Sequence, residues 1–174
     1  MRTGIWIPTL ALLALLAGCA TDSERADGPP GETRPSGDRV PEDASMLAIE
    51  TLYQDPNSGI EQSRRVVVRG DSTWRTLWSE LHRDREDVSE APEVDFDRSM
   101  VVVAAAGRKP TGGHSIEIEG VLANEDGVWV GVVKTSPGEG CVTTQALTHP
   151  AVVVKAPRRE GPVKFIDHSE TTDC

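Results

Sequence analysis

The sequence predicts an α+β domain in which one amphipathic helix packs on a mainly antiparallel β-sheet of about seven strands. Short runs of apolar and β-branched residues recur from residue 46 onward, and turn-forming residues separate them. One stretch, residues 74–81, instead places its apolar residues at helical spacing. The connections between these runs are short, which favours antiparallel neighbours.

The strands follow from the apolar runs taken in chain order. An unbroken run at 100–106 indicates a central strand covered on both faces, whereas the alternation at 115–119 indicates a half-exposed strand. Asp126-Gly127 favours a tight hairpin between the runs on either side of it. The predicted strand segments are residues 46–53, 65–69, 100–106, 115–119, 121–123, 128–133, 151–155 and 163–166.

The helix lies between the second and third strand segments. Asp71 or Ser72 is expected to cap its N-terminus. Its apolar stripe is expected to pack on the sheet and not to bind carbohydrate, because helical spacing is typical of core packing. The stripe consists of Trp74, Leu77, Trp78 and Leu81. Residues 83–98 follow as a charged connection, with Val94 and Phe96 as apolar anchors.

The N-terminus has the pattern of an export signal. Arg2 precedes an apolar stretch at 5–17 that is too short to span a membrane. The stretch ends in Leu-Ala-Gly-Cys at residues 16–19, which resembles the lipobox of bacterial lipoproteins. The resemblance implies that residues 1–18 are a signal peptide and that Cys19 receives a lipid anchor, with diacylglycerol on its thiol and an acyl chain such as palmitate on its amine. Ala20 favours the outer membrane facing the periplasm, if the cell is Gram-negative.

Three segments follow from this organisation. The signal peptide is residues 1–18, and the lipidated cysteine begins an acidic tether at 19–45 that is rich in proline and glycine. Such a composition cannot bury enough apolar surface to offset the entropy of ordering it. The globular domain is predicted to be residues 46–174.

The charge balance restricts the partners. The net charge is −10, so nucleic acid and anionic lipid would be repelled. Contact with the membrane is therefore expected through the acyl chains, and a protein is expected as the partner.

Two cysteines remain once Cys19 is assigned to lipid. In an oxidising compartment, Cys141 and Cys174 are expected to form a disulfide that pins the C-terminus. The alternative is a reactive Cys141 nucleophile, for which no base is recognisable nearby in the sequence.

The sequence has no recognisable catalytic set, metal-site spacing or cofactor motif. The four histidines are scattered without metal-ligand spacing, and no phosphate loop or nucleophile elbow is present. We therefore expect a protein that is not an enzyme. The segments that stand out are a basic, glycine-rich loop at 107–114 and a long loop at 136–150. Their candidate partner-binding residues are Arg108, Lys109, Thr111, Gly112, Gly113, His114, Thr143, Gln145 and Thr148.

The same two loops resemble the PrcB C-terminal domain family, which is named for an accessory subunit that stabilises a surface protease complex. The matching strings are residues 108–118, with Pro-Thr-Gly-Gly, and residues 137–150, with Thr-Gln-Ala-Leu-Thr-His-Pro. The resemblance extends over roughly residues 65–168. At two positions where members often have an aromatic residue, this chain has His114 and Ala151.

The resemblance implies a non-catalytic module that binds or stabilises another envelope protein, with a protease as one partner of that kind. Three alternatives stay open at this point. They are a protease inhibitor acting through the 136–150 loop, a binder of a small molecule or glycan, and an enzyme whose polar groups only the fold brings together.

Overall fold

The computed structural model describes residues 39–86 and 90–174. The predicted signal peptide, Cys19 and most of the predicted tether lie outside the described residues. Within them, the elements in chain order are β1 (Ser45–Met46), β2 (Glu50–Asp55), β3 (Arg64–Val68), α1 (Asp71–Leu81), β4 (Ser99–Ala105), β5 (Ser115–Ala123), β6 (Val128–Pro137), β7 (Ala151–Pro157) and β8 (Val163–Thr172).

These strands form two four-stranded sheets, whereas the sequence predicted a single sheet of about seven strands. One sheet has the order β1-β5-β6-β8 and is called sheet A here; the other, sheet B, has the order β2-β7-β4-β3. Every described strand pair is antiparallel except β6 with β8, which run parallel. The mainly antiparallel pattern and the single helix are thus confirmed for this part of the chain.

The segment predicted as one strand at 46–53 is two strands in different sheets. Met46 pairs with Leu122 in sheet A, whereas Thr51 pairs with Val154 in sheet B. The chain crosses between the sheets at Leu47, which is buried in the core between them. The sequence of residues 46–53 has no local signal for this crossing, because the residues on both sides of it are compatible with strands.

The segments predicted at 115–119 and 121–123 form one strand, β5. The register shifts between Ile118 and Gly120, and β5 remains paired with β6 on both sides of this irregularity. The predicted hairpin is confirmed: Asn124 accepts hydrogen bonds from the backbone N–H groups of Asp126 at 2.8 Å and Gly127 at 3.2 Å.

Two cores lie on the two faces of sheet B. Met100 and Val102 of β4 point into the core between the sheets, while Val101 and Val103 point into the core under the helix. All four side chains are fully buried. The prediction of a central strand covered on both faces is therefore confirmed.

The helix packs as its stripe predicts, since Trp74, Leu77, Trp78 and Leu81 are its buried residues. The indole N–H of Trp74 donates to the carbonyl of Pro92 at 2.9 Å, so the charged connection is held against the helix. The predicted cap is wrong: the N-cap is Gly70, in an extended conformation and without a side-chain cap. Asp71 already lies in the first turn, and its carboxylate pairs with Arg75 at 2.9 Å.

Tyr53 is buried where β2 meets the end of the helix. Its ring packs edge-on against Trp78 and His82, with ring centroids 6.0 and 5.1 Å apart. Its hydroxyl has no hydrogen-bond partner among the described residues. Burial is the main reason that the pKa of Tyr53 is raised to about 12, and the nearby carboxylate of Asp55 makes a smaller contribution.

This shift predicts a loss of stability in alkali. Above about pH 10 the unfolded chain loses the phenol proton while the folded chain keeps it, so the free energy of unfolding falls as pH rises toward 12. The full effect is about 2–3 kcal/mol, and Tyr53→Phe should abolish it. Urea unfolding of both proteins at about pH 9 and about pH 11.5 measures the difference.

Because the sequence has a single tyrosine, ultraviolet absorbance of the phenolate reports Tyr53 alone. A folded protein whose tyrosine titrates near its ordinary value of about 10 would contradict this assignment.

Candidate functional site

The two loops singled out in the sequence lie side by side. The backbone N–H of Lys109 donates to the carbonyl of Thr148 at 2.8 Å, and the N–H of Thr148 donates back to Lys109 at 3.1 Å. Farther along, the N–H of Gly112 donates to the carbonyl of Thr144 at 3.0 Å. Residues 108–113 and 144–149 thus form an irregular antiparallel ribbon, called the loop ribbon here.

The sheet itself brings the loops together. Strands β4 and β7 are neighbours in sheet B, with Ala105 opposite Ala151. The first loop leaves the end of β4, and the second loop leads into the start of β7. The pairing therefore continues beyond the sheet, through a bond from the N–H of Ala106 to the carbonyl of Pro150 at 2.8 Å.

The buried side chain of Thr148 links the two sides of the ribbon. Its hydroxyl donates to the carbonyl of Thr111 at 2.9 Å. Of the nine predicted partner-binding residues, it is the one that is buried in the structure. Its contacts give it a supporting role in the ribbon.

Two glycines allow the loops to approach closely. A Cβ atom at Gly112 would lie 2.4 Å from the hydroxyl oxygen of Thr144, far inside van der Waals contact. Gly113 has a φ of +82°, in the region that side chains with a Cβ disfavour. The backbone conformation therefore favours glycine at Gly113, whereas a side chain at Gly112 would require the Thr144 hydroxyl to move.

A third segment, which sequence reasoning treated only as a turn, supports the ribbon from below. The backbone N–H and the hydroxyl of Ser58 both donate to the carbonyl of His149, at 3.0 and 2.6 Å. The N–H of Arg108 donates to the carbonyl of Glu61 at 2.9 Å. The only sequence signal was the turn composition of residues 55–59, which predicts a loop but not its neighbour.

The predicted disulfide is confirmed. Cys141 and Cys174 are bonded, with Cα atoms 5.1 Å apart and a sequence separation of 33. Beside it, the N–H of Gly138 donates to the carbonyl of Thr172 at 3.0 Å. The end of β8 is therefore attached to the start of the long loop both covalently and through the backbone.

The far end of the long loop exposes apolar side chains. Val142 is fully exposed and Leu147 is 50% exposed, and residues 144–146 between them are exposed as well. Met46 is the third large hydrophobic residue that is exposed in the described part of the chain. We call residues 142–147 the tip; the disulfide precedes it, and its residues 144–147 belong to one side of the loop ribbon.

The basic character of the site comes from Arg108 and Lys109. Arg108 is exposed and Lys109 is half-buried. Burial lowers the pKa of His114, and the positive charge of Lys109 lowers it further. This histidine is therefore neutral at pH 7. Its Nδ1 is buried and has no hydrogen-bond partner within the described residues.

The remaining predicted residues lie on or beside the ribbon. Gly113 and Gln145 are exposed, whereas Thr111, Gly112 and Thr143 are partly covered. The site thus combines an uncharged tip, which exposes Val142 and Leu147, with one exposed cation on an otherwise acidic chain.

Within residues 39–86 and 90–174, no group of three or more histidine, cysteine, aspartate or glutamate side chains is placed to hold a metal ion. The helix in these ranges is not long and apolar enough to cross a membrane.

The disulfide yields a stability prediction. Closing a loop of this length stabilises the fold by about 3–4 kcal/mol on the chain-entropy model, so a Cys141→Ser/Cys174→Ser double variant should lose that much unfolding free energy. Chemical denaturation measures it, and the wild-type protein unfolded under reducing conditions is the matched control. Equal stability of the oxidised and reduced wild type would refute the prediction.

Comparison with known proteins agrees with the loop motifs. Residues 100–157 match the family model described as PrcB C-terminal. The match contains β4 to β7 and both loops, but not the helix or the more distant parts of the predicted resemblance. No curated protein and no solved structure gave a significant match to the chain.

Proposed function

We propose that this protein is a non-catalytic accessory module that binds and stabilises a protease complex of the bacterial envelope, since residues 100–157 match the family model described as PrcB C-terminal. The family resemblance supports a protease complex as the partner. The exposed tip supports direct binding through residues 142–147, and it is the observation on which the proposal depends.

The tip has the properties of a preorganised contact. A few residues that become buried and desolvated at the centre of a contact supply most of the affinity of a protein interface. Val142 and Leu147 are exposed on a segment whose two ends are held, one by the disulfide and the other by the ribbon. Binding therefore costs little ordering entropy, which favours affinity. Arg108 at the edge of the ribbon adds a charge that a carboxylate of the partner can meet.

In this role the module is held at the membrane by lipid on Cys19. Each buried methylene of an acyl chain contributes about 0.8 kcal/mol, and two chains are needed for stable anchoring. Lipid on Cys19 would concentrate the tip near envelope complexes without a basic surface.

The anchor is tested by Cys19→Ser. The variant should move from the membrane fraction to the soluble fraction of the envelope, and metabolic labelling with a fatty acid should no longer mark it. The Cys141→Ser/Cys174→Ser variant, which lacks the other cysteines, should remain labelled and membrane-bound. Membrane retention of Cys19→Ser would rule out anchoring through this residue.

A second candidate function is protease inhibition through the 136–150 loop. The observation that favours it is the position of Val142, which is fully exposed and directly follows a disulfide-bonded cysteine. An extended loop held in this way can occupy a protease cleft. The two functions differ in their effect, since an inhibitor lowers the activity of the bound protease and a stabilising subunit lengthens its lifetime.

The partner is identified by site-specific crosslinking in the native envelope. A photoreactive residue replaces Gln145 in the tip, and the control position is Glu125 in the hairpin between β5 and β6. Both positions are exposed. We expect a protease subunit to crosslink from position 145 and not from position 125. Crosslinking to the same proteins from both positions would contradict a specific role of the tip.

The tip itself is tested by Val142→Asp/Leu147→Asp, which places charge where a partner must exclude water. We expect at least a tenfold loss of affinity, since burying two unpaired charges costs more than 1.4 kcal/mol. The matched control is Met46→Asp, another exposed apolar position. Met46 lies near the opposite end of sheet A, roughly 25 Å away at about 3.3 Å per strand residue. The proposal would be refuted if the wild type, Val142→Asp/Leu147→Asp and Met46→Asp all bound the crosslinked partner with equal affinity.

A further inference from the structure

Strand β8 leaves one edge of sheet A open. It runs for 10 residues beside β6. On its other side it has no strand partner among residues 39–86 and 90–174. The opposite edge of the sheet is the two-residue strand β1. An open edge of this length presents alternate backbone N–H and C=O groups that another strand can pair with.

The side chains of β8 alternate between two environments. Val163 and Phe165 pack on the core between the sheets. Lys164 and Glu170, at even positions, therefore point to the outer face of sheet A, and both are exposed. Any strand added to this edge must match this alternation, because residues opposite each other share a face of the sheet.

We propose that a second copy of this chain pairs with this edge, so that the two β8 strands run antiparallel about a two-fold axis at Asp167. The two copies of sheet A would then form one continuous sheet. In this register Lys164 of each copy lies opposite Glu170 of the other, which gives two ion pairs related by symmetry.

The charges of β8 select both the partner and the register. Only this antiparallel register places the lysine of one strand opposite a carboxylate of the other. A shift by two residues in either direction puts Lys164 opposite Thr172 or opposite His168. The edge is therefore complementary to itself, which an arbitrary strand would not be.

Asp167 lies on the axis, where it would face its own copy. Arg65 from β3 neutralises it, through Nη2 at 2.6 Å and Nε at 3.2 Å from the same carboxylate oxygen. This ion pair also joins the edges of the two sheets. Repulsion between the two Asp167 carboxylates at the two-fold axis is therefore offset by Arg65 within each copy.

The test is a charge-exchange cycle on the intact lipoprotein in detergent micelles, followed by sedimentation equilibrium over a dilution series. Lys164→Glu and Glu170→Lys, made singly, each replace both ion pairs by like-charge pairs. Each should weaken dimerisation about tenfold or more. The double variant Lys164→Glu/Glu170→Lys restores opposite charges and should recover an affinity close to that of the wild type.

Both positions are exposed, so the variants should keep the wild-type melting temperature, which serves as the folding control. Dimerisation should also weaken with added salt. A monomeric wild-type protein, or single variants that dimerise as well as the wild type, would overturn the proposal. A double variant as weak as the single ones would overturn this register.

The outcome is independent of the proposed function. The variant Val142→Asp/Leu147→Asp leaves β8 unchanged and should dimerise normally. Loss of dimerisation in Lys164→Glu, with the crosslink from position 145 retained, would separate the two surfaces.

Discussion

Strand β4 belongs to both hydrophobic cores, and the rest of the fold depends on its burial. Its alternate side chains face sheet A on one side and the helix on the other, and they are fully buried. Neither sheet A nor the helix stripe could bury its apolar face without this shared layer, since each needs a partner surface. The unbroken apolar sequence of residues 100–105 is the direct consequence.

The candidate site is an extension of that same layer. Because β4 pairs with β7, the loop that leaves one strand meets the loop that enters the other. The ribbon continues the sheet by backbone hydrogen bonds, and its glycines and Thr148 allow the close approach. Residues that resemble family motifs therefore divide into two groups. Gly112, Gly113 and Thr148 build the frame, while Arg108, Gln145 and the apolar tip residues are available to a partner.

The two proposed surfaces use different residues but adjoin at the end of β8. The tip follows the disulfide that ties the long loop to the end of β8, whereas the open edge of β8 runs along sheet A. A two-fold axis at Asp167 would present two tips from one assembly. Two linked sites raise the effective concentration of the second binding event, so a dimer would bind a symmetric or clustered partner more tightly than one copy.

The sequence by itself determined the elements whose signal is local. The helix stripe, the doubly covered strand, the Asp-Gly hairpin and the cysteine pair each follow from spacing or composition, and the two loop motifs carried the family resemblance. The cap at Asp71 or Ser72 was wrong because Gly70 already ends the extended segment, one residue earlier.

Only the tertiary structure decided which elements are neighbours. The crossing at Leu47, the division into two sheets and the parallel pairing of β6 with β8 depend on contacts between distant residues. Periodicity shows which face of a strand is buried, but not which strand lies beside it. For the same reason the sequence could not show that the two loops form one ribbon, or that Val142 and Leu147 remain exposed.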